Sequence, residues 1–106
     1  MSSPLPVRIV GSAGQAILDA AEWWVSNRTK APDAFTVQLE RAIQILASQP
    51  LIGAEARNVK LAGVRRLHLP RVHYHHHLYY RVTSHPEAVE ILALWRTSRG
   101  TSPNLP

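Results

Sequence analysis

The chain has no cysteine. That excludes a disulfide framework and any thiolate metal site, and it suits a reducing cytosol. A long apolar run is also missing at its start. "MSSPLPVRIVGSAG" has neither the basic opening nor the hydrophobic stretch of a secretory signal, and Asp19 and Glu22 interrupt the next apolar segment. A soluble cytoplasmic protein with no membrane association is expected. At 106 residues there is no room for a second domain, so residues 1–106 are read as one domain with flexible ends at 1–5 and 101–106. Acid is scarce in one half of it. Residues 56–106 hold only Glu87 and Glu90 against eight basic groups, a net of +6, whereas residues 1–55 set four basic against five acidic groups, a net of −1. The whole-chain charge of +5 points to an anionic partner, nucleic acid or acidic protein. Arginine outnumbers lysine ten to two, and its planar fork suits phosphate or carboxylate.

Val7 to Val10 is a short β-branched run after Pro4 and Pro6, closed by Gly11, and reads as an N-terminal strand. "SAGQ" from Ser12 has the pattern of a capping box, with Gln15 reaching back to the serine. In the helix that follows, Ile17, Ala20 or Ala21, Trp24 and Arg28 share one stripe, and Trp23 falls about 100° away at its margin. After "NRTKAP", Asp33 is placed to cap a second helix carrying Phe35, Leu39, Ala42, Ile43 and Leu46, which Pro50 ends. The short link makes the two helices an antiparallel αα-hairpin. Residues 55–62 are left unassigned. Then the period changes to two. "VRRLHL", "HYHHHLYYRV" and "VEILALWR", separated by Pro70-Arg71 and "TSHPE", read as a three-strand meander. The expected class is α+β: an N-terminal strand and a helical hairpin packed on a mostly antiparallel sheet completed by the meander.

Alternation sorts the strand residues into two faces. Leu67, Leu69, Tyr74, His76, Leu78, Tyr80 and Val82 form the better core set, with His76 a core histidine. The opposite face is expected to gather Arg66, His68, His75, His77, Tyr79 and Arg81, joined by Arg96 and Arg99 from the chain's end. Three readings compete for it. Histidines at alternate strand positions can reach one cation, but no Asp, Glu or Cys lies in the run and Arg66 and Arg81 would repel a cation, so neither a metal nor any other cofactor is expected. Histidine, tyrosine and arginine also suit RNA cleavage, which needs a base, an acid and cations around a crowded phosphate. Alternatively the same side chains grip an acidic partner without chemistry. Composition alone leaves the last two open.

The order of elements, with "GVRRLHL", "YYRV" and "VEILALWRTSRG", resembles the ParE branch of the ParE/RelE superfamily of toxins from type II toxin–antitoxin modules, from about Val7 to Gly100. The resemblance implies a RelE/ParE-like fold and a cytoplasmic toxin silenced by a cognate acidic, ParD-like antitoxin. The antitoxin's C-terminal segment wraps the toxin, and its N-terminal part binds operator DNA, so the toxin meets that DNA only indirectly. ParE-like members act on DNA gyrase and block replication. RelE-like members cut mRNA in the ribosome. Carried over by motif, Arg65 or Arg66 matches the arginine after the strand-opening glycine, Arg81 that of "YRV", and Arg99 that of the closing "SRG". Arg96 stands where relatives often have histidine, and no Tyr or His follows Arg99. Arginine is not a base at neutral pH, so a nuclease would depend on His75 and His77, or His68, beside Arg66 and Arg81. The departures favour the gyrase-directed reading over the mRNA endoribonuclease, with a non-toxic antitoxin-binding relic as a further alternative. The surface expected to carry toxin activity is Arg65, Arg66, His68, Tyr79, Arg81, Arg96 and Arg99.

Overall fold

The computed structural model describes residues 4–27, 29–56, 59–69 and 76–96, apart from the side chain of Arg96. Through them the chain runs β1 (Val7–Ile9), α1 (Ala13–Asn27), α2 (Ala34–Ser48), β2 (Ala54–Glu55), β3 (Arg65–Leu69), β4 (His76–Ser84) and β5 (Glu87–Arg96). The strands make one five-stranded sheet in the order β1-β5-β4-β3-β2, antiparallel except for the parallel pair of β1 with β5. This is the α+β arrangement read from the sequence, with β2 added as a two-residue edge strand at the start of the unassigned stretch, Ala54 lying just before it. Strand β4 is longer than expected. Thr83 and Ser84 continue it, and only His85 and Pro86 make the turn.

Both helices bury the stripes their spacing defines. From α1, Ala13 and Trp24 are buried and Ile17, Ala20 and Ala21 pack beside them; from α2, Phe35, Leu39, Ala42 and Leu46 are buried, with Ile43 partly so. Trp24 is 6% exposed and Trp23 38%, as their angular offset on a helix requires. Each large apolar side chain removed from water here contributes about 1.5–3 kcal/mol. The hairpin turn is tied to this core by the Trp24 indole N–H, which donates to the Ala31 carbonyl at 2.7 Å.

The two expected caps do not form. Gln15 donates instead to the Asp19 carboxylate at 2.8 Å, an i,i+4 pair on the helix surface, and the Ser12 side chain bonds to nothing among the described residues. Asp33 does stand at the N-cap of α2, but without a side-chain cap bond. Its φ of −98° and ψ of 3° lie outside the extended region from which a capping oxygen reaches the first amides.

On the helix side of the sheet, Leu69, Leu78, Tyr80, Val89, Ile91 and Leu94 complete the main core, with Val7, Leu67 and Val82 at its margin. His76 is buried here and meets Phe35 edge-on, ring centroids 5.7 Å apart. The other side of the sheet departs from expectation. Ala56, Val64, Tyr79 and Ala93 form a second buried cluster, flanked by Val59, Leu61, Leu92 and Trp95. The β2–β3 connection therefore folds over the face expected to be open, drawn there by its own apolar residues. A β-bulge helps supply them. Tyr79 pairs with Ala93 but Tyr80 with Ile91, so Leu92 is an added residue on β5, and Leu92 and Ala93 both turn to the second cluster.

Candidate functional site

Beyond the bulge, three residues stand in register across the sheet. Arg8 of β1 is the partner of Glu90 of β5, and Glu90 is the partner of Arg81 of β4. Arg8 Nη2 donates to Glu90 Oε2 and Arg81 Nε donates to Glu90 Oε1, each at 2.8 Å. The Glu90 side chain is 11% exposed, while Arg8 and Arg81 are 49% and 39% exposed. A carboxylate this far from water requires ionic or hydrogen-bonding partners, and here one strand on each side provides a guanidinium. Two cations around one anion leave the row net positive. The pairing also fixes register, because a one-residue slip of β1 or β4 would turn the arginines to the other face.

Past the second cluster lies a different group. His68 and His77 are direct cross-strand partners, and their rings meet edge-on with centroids 5.4 Å apart. His77 also faces Tyr79 edge-on at 6.3 Å and is the register partner of Trp95 on β5. Arg66 is the partner of Tyr79 on the same side, and is half-buried. Among the described residues no three His, Cys, Asp or Glu side chains are grouped to hold a metal ion, and no helix is long and apolar enough to cross a membrane.

The residues singled out from the sequence thus separate. Arg66, His68 and His77 share one region of the sheet face. Arg81 lies in the ion-paired row, four residues along β4 from His77, about 13 Å at strand rise. Tyr79 points to the expected side but is only 1% exposed, because the β2–β3 connection packs over it. Arg65 belongs to the opposite side, in phase with Leu67 and Leu69. Its Nη1 donates to the carbonyls of Gly53 at 2.7 Å and Leu51 at 3.3 Å, so it ties down the segment after α2. His75, Arg99 and the Arg96 side chain lie outside the described residues.

The same segment is held from a second direction. The buried Gly53 N–H donates to the Tyr80 hydroxyl at 2.8 Å. Burial pushes the Tyr80 phenol above its ordinary value of 10.0, against the opposing pull of the Gly53 N–H and the Arg65 charge. Tyr80 is therefore a neutral anchor of the core.

Arg8 and Glu90 were not singled out as functional from the sequence, although the signal was present. Glu90 is the single acid within the "VEILALW" run, and alternation places it away from Val89 and Ile91. A buried acid in an interior strand calls for cations on the flanking strands, and alternation places Arg81 on that face.

No curated protein matches the chain. The family model describing the ParE toxin of the type II toxin–antitoxin system parDE matches residues 7–100. This span takes in every strand and both helices, including the row at Arg8, Arg81 and Glu90. The chain therefore belongs to the ParE family, the toxins of type II toxin–antitoxin systems, and membership implies an antitoxin partner.

Proposed function

We propose that this chain, when released from its antitoxin, inhibits DNA gyrase by protein contact and so blocks replication in the cytoplasm. The observation that carries the preference over mRNA cleavage is the separation of the nuclease candidates. A ribonuclease needs base, acid and cation within hydrogen-bond reach of one phosphate. Here the Arg81 guanidinium is turned to Glu90, His77 stands about four strand residues away beside His68, and Tyr79 is covered. The sequence adds the same weight, since Arg96 stands where relatives often have histidine and no Tyr or His follows Arg99. The partner that holds the toxin inactive is an acidic, ParD-like antitoxin. The net charge of +5 complements it, and operator DNA is reached through the antitoxin alone.

Inducing the chain alone and following DNA synthesis and translation in parallel tests the reading. DNA synthesis should fall first, and purified chain should inhibit gyrase supercoiling. An immediate translation block with replication intact would replace gyrase with the ribosome as target. The absence of any growth effect would identify a relic that retains only antitoxin binding. The double substitution Arg81→Ala with Arg99→Ala should abolish toxicity; unchanged toxicity would move the active surface elsewhere.

A further inference from the structure

The row of Arg8, Glu90 and Arg81 holds more donors than it uses. Each guanidinium has five N–H groups, and each spends one on Glu90. Neither arginine makes another side-chain hydrogen bond among the described residues. Both remain well exposed, 49% and 39%, so the outer edges of the two forks reach solvent. Glu90 fixes their direction by taking one bond on each oxygen. It is also the one carboxylate on this side of the sheet among the described residues, because Glu55 is the register partner of Arg65 on the helix side and Glu87 is in phase with Val89.

We infer that Arg8 and Arg81, aligned by Glu90, form a receptor for the carboxylates of an acidic protein segment, one on each outer fork. Arginine forks take carboxylates in the planar, two-bond geometry that a lysine cannot offer. The two arginines stand on strands separated by β5, about 10 Å apart across the sheet, and Glu90 between them repels an anion placed at the centre. That layout favours two separated acidic side chains over a nucleic-acid strand, which needs a continuous cationic track for its phosphates. Leu92, two residues along β5 from Glu90 on this side, is apolar and only partly buried, which suits a protein partner. The assignment holds whichever target the toxin acts on.

The full chain, titrated with oligoglutamate, provides the test. The Nε–Hε resonances of Arg8 and Arg81 should shift together and saturate. Arg8→Gln should weaken binding roughly tenfold, the loss of charge-assisted bonds on one fork, while Lys30→Gln, which removes the same charge from the exposed interhelical turn, should change it less than about twofold. Arg8→Lys retains the charge without the fork and should lose most of the tenfold. Arg8 lies half-exposed on an edge strand, so these variants leave the main core intact. Glu90→Gln adds net positive charge yet should weaken binding, because the forks lose their alignment. Three results overturn the inference: equal effects of Arg8→Gln and Lys30→Gln, tighter binding by Glu90→Gln, or stronger binding of oligothymidylate of equal charge than of oligoglutamate.

Discussion

Replacing Tyr80 by phenylalanine removes one oxygen from the middle of the molecule, and the structure fixes what that oxygen does. Tyr80 is 0% exposed, and its hydroxyl is the acceptor for the buried Gly53 N–H at 2.8 Å. Without it the amide has lost its partner and has no water to turn to, which costs about 2–3 kcal/mol once the bond and the stranded donor are both counted. For a domain of this size that is a fall in Tm of roughly 10 °C or more, read by thermal melts followed by circular dichroism. Gly53→Ala approaches the same contact from the other side. An added Cβ would lie 2.6 Å from the Tyr80 hydroxyl, and 2.8 Å from both the ring carbon Cε1 and the Arg66 carbonyl oxygen. The backbone oxygen cannot swing away, so about 3 kcal/mol of overpacking is expected. In the Tyr80→Phe background only the hydroxyl contact disappears, so the alanine should remain costly. The phenol also links stability to alkali. Its pKa is raised in the folded state above 10.0, so the unfolded chain loses this proton first. The associated stability is complete below pH 10 and is lost as pH rises through the folded value. Tyr80→Phe should flatten that alkaline decline. A Tm unchanged within about 2 °C in Tyr80→Phe, or an alanine at position 53 that costs nothing, would refute the reasoning.

Three further perturbations have defined outcomes. Glu90→Gln should lower stability by about 1–2 kcal/mol in denaturant titrations, less than a fully buried ion pair would lose, because the two half-exposed arginines regain water. Trp24→Phe removes the indole donor to Ala31 as well as volume beside the helix interface, and should cost about 1–3 kcal/mol while freeing the interhelical turn for faster amide exchange. Leu46→Ala empties a site with no solvent exposure, for about 2–5 kcal/mol by the same titrations.

The element order was legible because period and punctuation agree along most of this chain. Phe35, Leu39, Ala42 and Leu46 can share a face only on a helix, and Leu67-Leu69 with Leu78-Tyr80 only on strands. Features decided by competition between partners were not legible. Ser12 and Asp33 have the residue types of caps, yet neither side chain makes a cap bond, since those types favour a cap without dictating backbone angles. Alternation places Tyr79 on the side of the strand it occupies, but its burial depends on the β2–β3 connection folding back, a long-range event that alternation does not encode. Arg65 was one residue out of phase with the face that Arg66 shares. For the site, Arg81 is legible from strand alternation and charge, whereas the role of Arg8 depends on which strand lies beside β5. Only the sheet order supplies that.

Strand β5 lies between β1 and β4, so among the described residues the first strand pairs with the last. The bond from Arg8 to Glu90 spans 82 positions of sequence. During synthesis, β1 and the helical hairpin leave the ribosome long before the strand they pack against, and the hairpin's apolar stripes wait for it. Folding of the sheet is therefore held back until β5 has been made, by loop closure over those 82 positions. A nascent or C-terminally truncated chain lacks the interior strand, and with it Glu90 and the alignment of the two arginines. The surface around Glu90 exists only after β5 has been made.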